Sequence, residues 1–400
     1  MLTENYQHTI RASYLGYVTQ AIVNNFAPLL FLIFRQSLGI PIEKITLLIT
    51  ANFVIQFIVD LLAIKFVDRI GYRVSVVAAH IFSGIGLLGL GVFPFLLADK
   101  FLGLLLAVFC YAIGGGLIEV LISPIVEACP TDNKSSSMSL LHSFYCWGMV
   151  AVIIISTLFL QVFGEGSWGV LAGLWALIPL SNALYFSKVP IASLTESHEQ
   201  TPLKSLFSMK TFWLFVLLMI SAGSAEQAMI QWASAFAESG LAISKTVGDL
   251  LGPCMFAILM GVSRVFYARF SEKIDLLKFI IASGCLCVLS YLLVIFSPLP
   301  LLSLVGCALC GLSVGILWPG VISLAAGKFP RGGTAIFAIL ALAGDIGCAV
   351  GPTIVGSVSS LFDDNLRYGF MAAIVFPLIL VICTIIYKWQ INLKVSVAKL

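Results

Sequence analysis

Two long apolar runs surround one short charged turn in residues 45–97. The runs are ITLLITANFVIQFIVDLLAIKF (45–66) and VSVVAAHIFSGIGLLGLGVFPFLL (74–97), and the turn is VDRIGYR (67–73). A helix needs about 20 residues to cross a hydrocarbon core of ~30 Å, and both runs are that long. The pattern therefore predicts two antiparallel membrane-spanning helices joined by a tight turn.

The composition extends this pattern to the whole chain. Of its 400 residues, 60% are hydrophobic and only 10% are charged, whereas soluble proteins carry about 25% charged residues. Polar breaks divide the sequence into twelve apolar runs, at 11–34, 45–67, 74–97, 101–127, 136–163, 168–187, 211–237, 246–268, 277–297, 300–327, 333–361 and 367–389. We therefore expect an all-α membrane protein with twelve transmembrane helices, of which the longer ones are kinked at Pro124, Pro319 and Pro352.

The placement of basic residues indicates the orientation. Lys and Arg are enriched in cytoplasmic loops of membrane proteins. If the N-terminus is inside, most Lys and Arg residues fall on the inner side. The exceptions are Arg35, Lys44, Lys100, Lys245, Arg367 and the intramembrane Arg264. This bias predicts a multi-pass protein of the plasma (inner) membrane with both termini in the cytoplasm. The net charge of +3 is too small to suggest a nucleic-acid partner.

The two halves of the chain repeat one another. GxxxQAxxN at 16–24 matches GxxxQAxxQ at 223–231, and FVDRI at 66–70 matches FSEKI at 270–274. Gly116 and Pro124 in run four likewise match Gly311 and Pro319 in run ten. The matches fall in order on runs 1/7, 2/8 and 4/10, which is typical of a parallel six-plus-six duplication. We predict two pseudo-symmetric six-helix bundles, 1–190 and 211–400, with a cytoplasmic linker at 191–210.

The candidates for charge within the hydrocarbon core are Asp60, Glu119, Glu226, Arg264 and Asp345. Charge is costly in the hydrocarbon core, so such residues are candidates for function. Glu119 follows three consecutive glycines, which allow another helix to come close, and a carboxyl buried there is suited to reversible protonation. We interpret Asp60, Glu119, Arg264 and Asp345 as buried charges or proton-coupling groups and Glu226 as a residue that lines the substrate cavity; the structural alternatives are a hydrogen-bonded packing carboxyl and an ion pair.

Polar and aromatic side chains accompany these charges at mid-run. Those we assign to substrate binding are Gln20, Asn24, Asn25, Gln56, Tyr145, Trp147, Glu226, Gln227, Gln231, Trp232 and Trp318. Amides spaced by four share a helix face, and amides with flat rings suit a polyhydroxylated ligand. Hydrogen bonding between helices remains an equal alternative for each. His142 is either a proton relay or a packed histidine.

The turn at 67–73 resembles the GxxxDRxGRR signature of the major facilitator superfamily, although Ile64 replaces its first glycine. The resemblance implies a secondary transporter with a cytoplasmic gate. Asp68 would hold a neighbouring helix N-terminus and Arg73 a carboxylate. Glu127, at the inner end of run four, is the expected partner of Arg69 or Arg73.

Three further segments resemble the fucose:proton symporter branch of that superfamily. They are GLIEVLISPIVE (116–127), LWPGVISL (317–324) and GDIG (344–347) followed by Gly351-Pro352. By this resemblance, Glu119 matches a span-four glutamate implicated in proton-linked sugar uptake. The family also has a span-one aspartate, where this chain has Asn24 and Asn25.

These observations predict a secondary transporter for a small polar, sugar-like solute, working by alternating access and proton-coupled symport. An efflux antiporter is one alternative, although CWGMV (146–150) lacks the Gly-rich motif of such antiporters; a membrane sensor is another. No GxxxxGK[ST] or HExxH motif is present, so we expect neither an enzyme nor a metal site. The expected partners are the solute and the lipid bilayer, the expected driving force is a proton gradient without a bound cofactor, and the expected state is a monomer.

Overall fold

The computed structural model describes residues 5–130, 134–192, 207–270, 273–329 and 333–397. The chain divides into two compact units. Unit 1 consists of Met1–Glu196 and Ser244–Leu250, and unit 2 consists of Ser197–Ile243 and Leu251–Leu400. The short segment Ser244–Leu250, at the start of the eighth span, therefore groups with unit 1 although it follows the seventh span in sequence.

The described residues of each unit are almost entirely helical. In unit 1 the helices are Tyr6–Asn25, Phe31–Leu38, Ile42–Ile70, Tyr72–Leu96, Lys100–Ala128, Lys134–Phe163, Trp168–Phe186 and the short Lys245–Asp249. In unit 2 they are Lys210–Ala235, Met255–Phe270, Leu276–Phe296, Pro300–Val314, Leu317–Lys328, Gly333–Leu361, Leu366–Ala373 and Val375–Val397.

Twelve helical stretches of the described chain are long and apolar enough to cross a membrane. These spans, one to twelve, are Tyr6–Leu38, Ile42–Ala63, Tyr72–Leu96, Lys100–Ala128, Leu140–Phe163, Glu165–Phe186, Lys210–Gly240, Lys245–Tyr267, Leu276–Phe296, Pro300–Ala325, Ile339–Leu361 and Leu366–Ile391. They coincide in number and order with the apolar runs of the sequence, so the predicted twelve-helix membrane fold is confirmed.

Several spans are not single regular helices. Span ten breaks between Val314 and Leu317, just before Pro319, whereas the helices continue through Pro124 and Pro352. The sequence did not predict the 3-10 turn Ala27–Leu30 in span one or the π-helical turn Leu250–Cys254 in span eight. Each of these turns contains a proline, which removes a backbone donor and clashes with the preceding helical turn.

Matched glycines bring matched spans together within each unit. A Cβ atom on Gly116 of span four would lie 3.0 Å from the carbonyl oxygen of Gln56 in span two. A Cβ on Gly311 of span ten would lie directly against the carbonyl oxygen of Phe256 in span eight. These two glycines were paired by the sequence repeat, and in the structure they have the same role. The repeat therefore extends from sequence to helix packing.

The packing at Gly311 leads to a stability prediction. We expect Gly311→Ala to lower the free energy of unfolding by about 1–3 kcal/mol, because the added methyl group would overlap a backbone atom that cannot move independently. Gly327→Ala is the matched control, since a Cβ there meets open space and alanine favours the helix by up to about 1 kcal/mol. Thermal unfolding of the purified variants in detergent would show this contrast; equal unfolding temperatures would contradict it.

Candidate functional site

Spans one and two of unit 1 face each other through side-chain amides. Gln20 and Asn24 lie one turn apart on span one, and Asn52 and Gln56 lie one turn apart on span two. All four are at least nine-tenths buried. With Glu119 of span four they form what we call the amide cluster.

Hydrogen bonds link every member of the amide cluster. Gln56 Nε2 donates to Asn24 Oδ1 and to Asn52 Oδ1, both at 2.9 Å, and Asn52 Nδ2 donates to Asn24 Oδ1 at 3.3 Å. Gln20 Nε2 donates to Gln56 Oε1 at 3.1 Å and to Glu119 Oε2 at 3.2 Å. Three helices that are distant in sequence thus meet at one connected polar network, as buried polar groups require.

Three consecutive glycines let span four pack closely against spans one, two and three, as the sequence predicted. A Cβ on Gly114 would collide with span three at Ser83, and a Cβ on Gly115 would lie 3.3 Å from Gln20 Oε1. Gly116 lies against Gln56. Since Glu119 is one helical turn beyond Gly115, the glycines bring its carboxyl to the amides.

A second carboxyl lies beside Glu119. Asp60 is one turn beyond Gln56 on span two and is 5% exposed. A carboxylate oxygen of Asp60 and one of Glu119 lie within 4.8 Å of each other, and a Cβ on Gly116 would lie 3.1 Å from Asp60 Oδ1. Unit 1 therefore holds a pair of adjacent intramembrane carboxyls.

Ring side chains of span five contact residues of span one that lie outside the amide cluster. Asn25 Nδ2 donates to the carbonyl oxygen of Ala21 at 2.9 Å and contacts the Tyr145 hydroxyl at 3.4 Å. The exposed His142 contacts Tyr17 edge to face, with ring centroids 5.2 Å apart. Trp147, by contrast, is 51% exposed and forms no hydrogen bond or ring contact with the described residues of the cluster.

In unit 2, the polar residues of span seven form a ladder along one helix. Gln231 Nε2 donates to Gln227 Oε1 at 3.1 Å, and Gln227 Nε2 donates to Glu226 Oε1 at 3.3 Å. Gln227 and Gln231 are buried, with exposures of 6% and 3%. The ladder occupies the positions that the sequence repeat matches with Gln20 and Asn24.

Arg264 of span eight lies where span ten is broken. Its Nε donates to the carbonyl oxygen of Gly315 at 3.2 Å, and that carbonyl is at the end of helix Pro300–Val314. The Arg264 guanidinium also acts electrostatically on the Glu226 carboxyl. Arg264 therefore both satisfies a helix terminus and balances an intramembrane carboxyl.

The tryptophans of unit 2 differ in their environment. Trp232 is fully buried and donates from Nε1 to the carbonyl oxygen of Pro352 at 2.9 Å, which places it in the packed core. The half-buried Trp318 lies directly against Gly344. Asp345, the next residue, is 8% exposed.

Of the residues predicted for the cytoplasmic gate, Asp68 and Arg69 lie at the end of helix Ile42–Ile70. Arg73 lies at the start of the next helix, and Glu127 lies at the end of span four. Helix Ile42–Ile70 includes Arg69, and the chain turns at Gly71 alone, with φ of 94°. Arg73 Nη1 donates to the carbonyl oxygens of Phe186 and Ser187, both at 3.0 Å, so it caps the end of span six. Arg69 and Glu127 are exposed, and the Asp68 side chain lies outside the described residues.

Sequence reasoning missed a buried ion pair in unit 1. Asp249 is 1% exposed and lies 3.2 Å from Lys245 Nζ, and the Thr157 hydroxyl donates to its Oδ2 at 3.1 Å. Lys245 Nζ also donates to the carbonyl oxygen of Leu29. The spacing of four between Lys245 and Asp249 was the available signal, but it is equally common on exposed helices.

This arrangement of twelve spans with intramembrane charges is that of a multi-pass membrane transporter. The family model of the Major Facilitator Superfamily matches residues 14–352 and again 239–394. The chain belongs to the Major Facilitator Superfamily. A search by sequence among curated proteins finds no match.

Solved transporter structures share the fold at low sequence identity. The fucose:proton symporter of E. coli is 14% identical, with 94% of this chain and 97% of that chain covered and a TM-score of 0.65. The nucleoside transporter NupG is 11% identical, with 94% and 99% covered and a TM-score of 0.75. A bacterial homolog of the human lysosomal transporter Spinster, in an inward-facing and occupied conformation, is 14% identical, with 96% and 97% covered and a TM-score of 0.73. The predicted resemblance to the superfamily and to the fucose symporter is confirmed, and at these identities it concerns the fold alone.

Proposed function

We propose that the protein takes up a small polar, sugar-like solute by proton-coupled symport, through alternating access. The observation that supports this most is the amide cluster of unit 1, in which four buried amides from spans one and two are hydrogen-bonded to one another and, through Gln20, to the Glu119 carboxyl. A purely packing role would need far fewer polar groups, since apolar side chains fill a helix interface at lower cost.

The residue types in and around the cluster favour a hydroxyl-bearing solute. Amides both donate and accept hydrogen bonds, and the half-buried Tyr145 adds a ring and a hydroxyl beside Asn25. Two of the structural neighbours are named for fucose and for nucleosides, which share hydroxyl-rich sugar rings. In unit 2, the ladder of Glu226, Gln227 and Gln231 is a second row of polar groups of the same type.

The neighbouring carboxyls Asp60 and Glu119 support coupling to protons. Two intramembrane carboxylates with oxygens within 4.8 Å repel each other strongly if both are charged, so a pair at that distance favours holding a proton. This chain has no span-one aspartate, and Asp60 of span two would provide the second carboxyl in its place. His142, Arg264 and Asp345 remain proposed coupling or charge-balancing groups.

The remaining assignments follow from charge and fold. The predominance of Lys and Arg on the inner side supports a plasma (inner) membrane location with cytoplasmic termini. Two six-span bundles in one chain form a complete repeat pair, so we propose a monomer that needs no nucleic-acid partner or bound cofactor.

Uptake by proteoliposomes tests this function directly. The purified protein is reconstituted in sodium-free buffer, the outside is made acid, and labelled L-fucose, D-galactose, D-glucose and uridine are offered in turn. We expect accumulation of at least one of these solutes, lost when a protonophore collapses the gradient. If none is taken up while lipophilic cations are expelled, the efflux alternative replaces this proposal. If no solute moves in either direction, the sensor alternative replaces this proposal.

A further inference from the structure

Gln20 uses all its donor capacity inside the amide cluster. Its Nε2 carries two hydrogens, and they go to Gln56 Oε1 and to Glu119 Oε2, at 3.1 and 3.2 Å. The amide orientation is set by these partners, because the reverse orientation would turn the Gln20 oxygen toward two acceptors. The oxygen Oε1 therefore points away from both.

Gln20 Oε1 is a buried acceptor that the cluster leaves unused. Gln20 is 4% exposed, and among the residues that the structure describes this oxygen has no hydrogen-bond partner. The side-chain oxygens of Asn24, Asn52 and Gln56 each accept at least one hydrogen bond within the cluster. A buried polar oxygen without a donor is unfavourable, so it marks a position where a donor is needed.

This oxygen lies beside Gly115 of span four. Gly115, which has no side chain, faces Gln20 Oε1, and a Cβ there would lie only 3.3 Å from it. Glu119 follows one helical turn later on the same face of span four. A group that reaches Oε1 would therefore lie within the cluster, beside the carboxyl.

We propose that Gln20 Oε1 accepts a hydrogen bond from a hydroxyl group of the transported solute, and that Gln20 is thereby a specificity-determining residue. The inference rests on the proposed function and adds to it the chemistry that the solute must present at this position. A neutral amide oxygen suits a neutral hydroxyl donor, since the carboxyl of the cluster, Glu119, is already bonded to the Gln20 amide nitrogen. Solutes that lack this one hydroxyl are rejected because they leave Oε1 buried without a donor.

Deoxy analogues test the proposal. Initial uptake of D-galactose, L-fucose and uridine is compared with that of each of their monodeoxy analogues, for the wild type and for Gln20→Met, which keeps the side-chain length without polar atoms. For the transported parent, we expect the wild type to discriminate against one analogue by about tenfold or more. Gln20→Met should lose that discrimination and keep the discrimination at the other hydroxyls.

A matched control separates the outcomes. Gln36→Met makes the same change at an exposed position of span one and should match the wild type. If Gln20→Met does not transport, the same ratios are read from the solute-dependent rise in its unfolding temperature. Unchanged ratios in Gln20→Met overturn this inference and leave the proposed transport intact, whereas no uptake of any parent by the wild type overturns both.

Discussion

Glu119→Gln is expected to abolish accumulation of solute against its gradient while leaving solute exchange intact. Glutamine has nearly the same shape and still offers an oxygen to the Gln20 Nε2 atom, which donates to Glu119 Oε2 at 3.2 Å, but it cannot gain or lose a proton. With one proton carried per solute, a pH difference of one unit supports about tenfold accumulation, since each unit corresponds to about 1.4 kcal/mol. The variant should reach an accumulation ratio of about one, measured with the labelled solute in proteoliposomes.

Asp60→Asn extends this prediction to the second carboxyl. If the two carboxyls share the transported proton, removing either one should have the same effect on accumulation. Glu165→Gln is the matched control, because Glu165 is exposed in the 3-10 turn before span six and should leave accumulation unchanged. Normal accumulation by Glu119→Gln would refute proton coupling through this residue.

The spans and the polar faces of the helices could be predicted from sequence. The length and hydrophobicity of each run determine that it crosses the membrane, and spacing by four places Gln20 with Asn24 and Asn52 with Gln56 on common faces. The three glycines before Glu119 likewise predicted a close helix contact, which Gly115 and Gly116 make in the structure. These features depend on local periodicity and side-chain size, which a single sequence contains.

The environment of individual side chains could not be predicted in the same way. Trp147 and Trp232 were both assigned to substrate binding, yet Trp147 is 51% exposed and Trp232 is fully buried against Pro352. Arg73 was expected to hold a carboxylate, and among the described residues it instead caps two backbone carbonyls at the end of span six. These outcomes depend on how each helix is rotated against its neighbours, which spacing within one helix does not reveal.

The buried ion pair of unit 1 joins three spans at a point where two helices are irregular. Leu29, whose carbonyl oxygen accepts from Lys245 Nζ, lies in the 3-10 turn Ala27–Leu30. Asp249 immediately precedes the π-helical turn Leu250–Cys254 and accepts from Thr157 of span five. The Lys245 side chain is 11% exposed and that of Asp249 is 1% exposed, so the two charges compensate each other largely away from solvent.

Lys245→Met or Asp249→Leu alone should lower the free energy of unfolding by about 3–5 kcal/mol, because each leaves one buried charge without its partner. The double variant Lys245→Met/Asp249→Leu should recover most of this loss, since an apolar pair carries no uncompensated charge. Lys278→Met is the matched control: its ion pair with Asp275 is exposed on both sides, at 70% and 51%, and such pairs contribute less than about 1 kcal/mol. Unfolding of the four variants in detergent measures these differences. Additive losses in the double variant would show that Lys245 and Asp249 stabilise unit 1 through separate contacts, because only a coupled pair makes the second substitution less costly than the first.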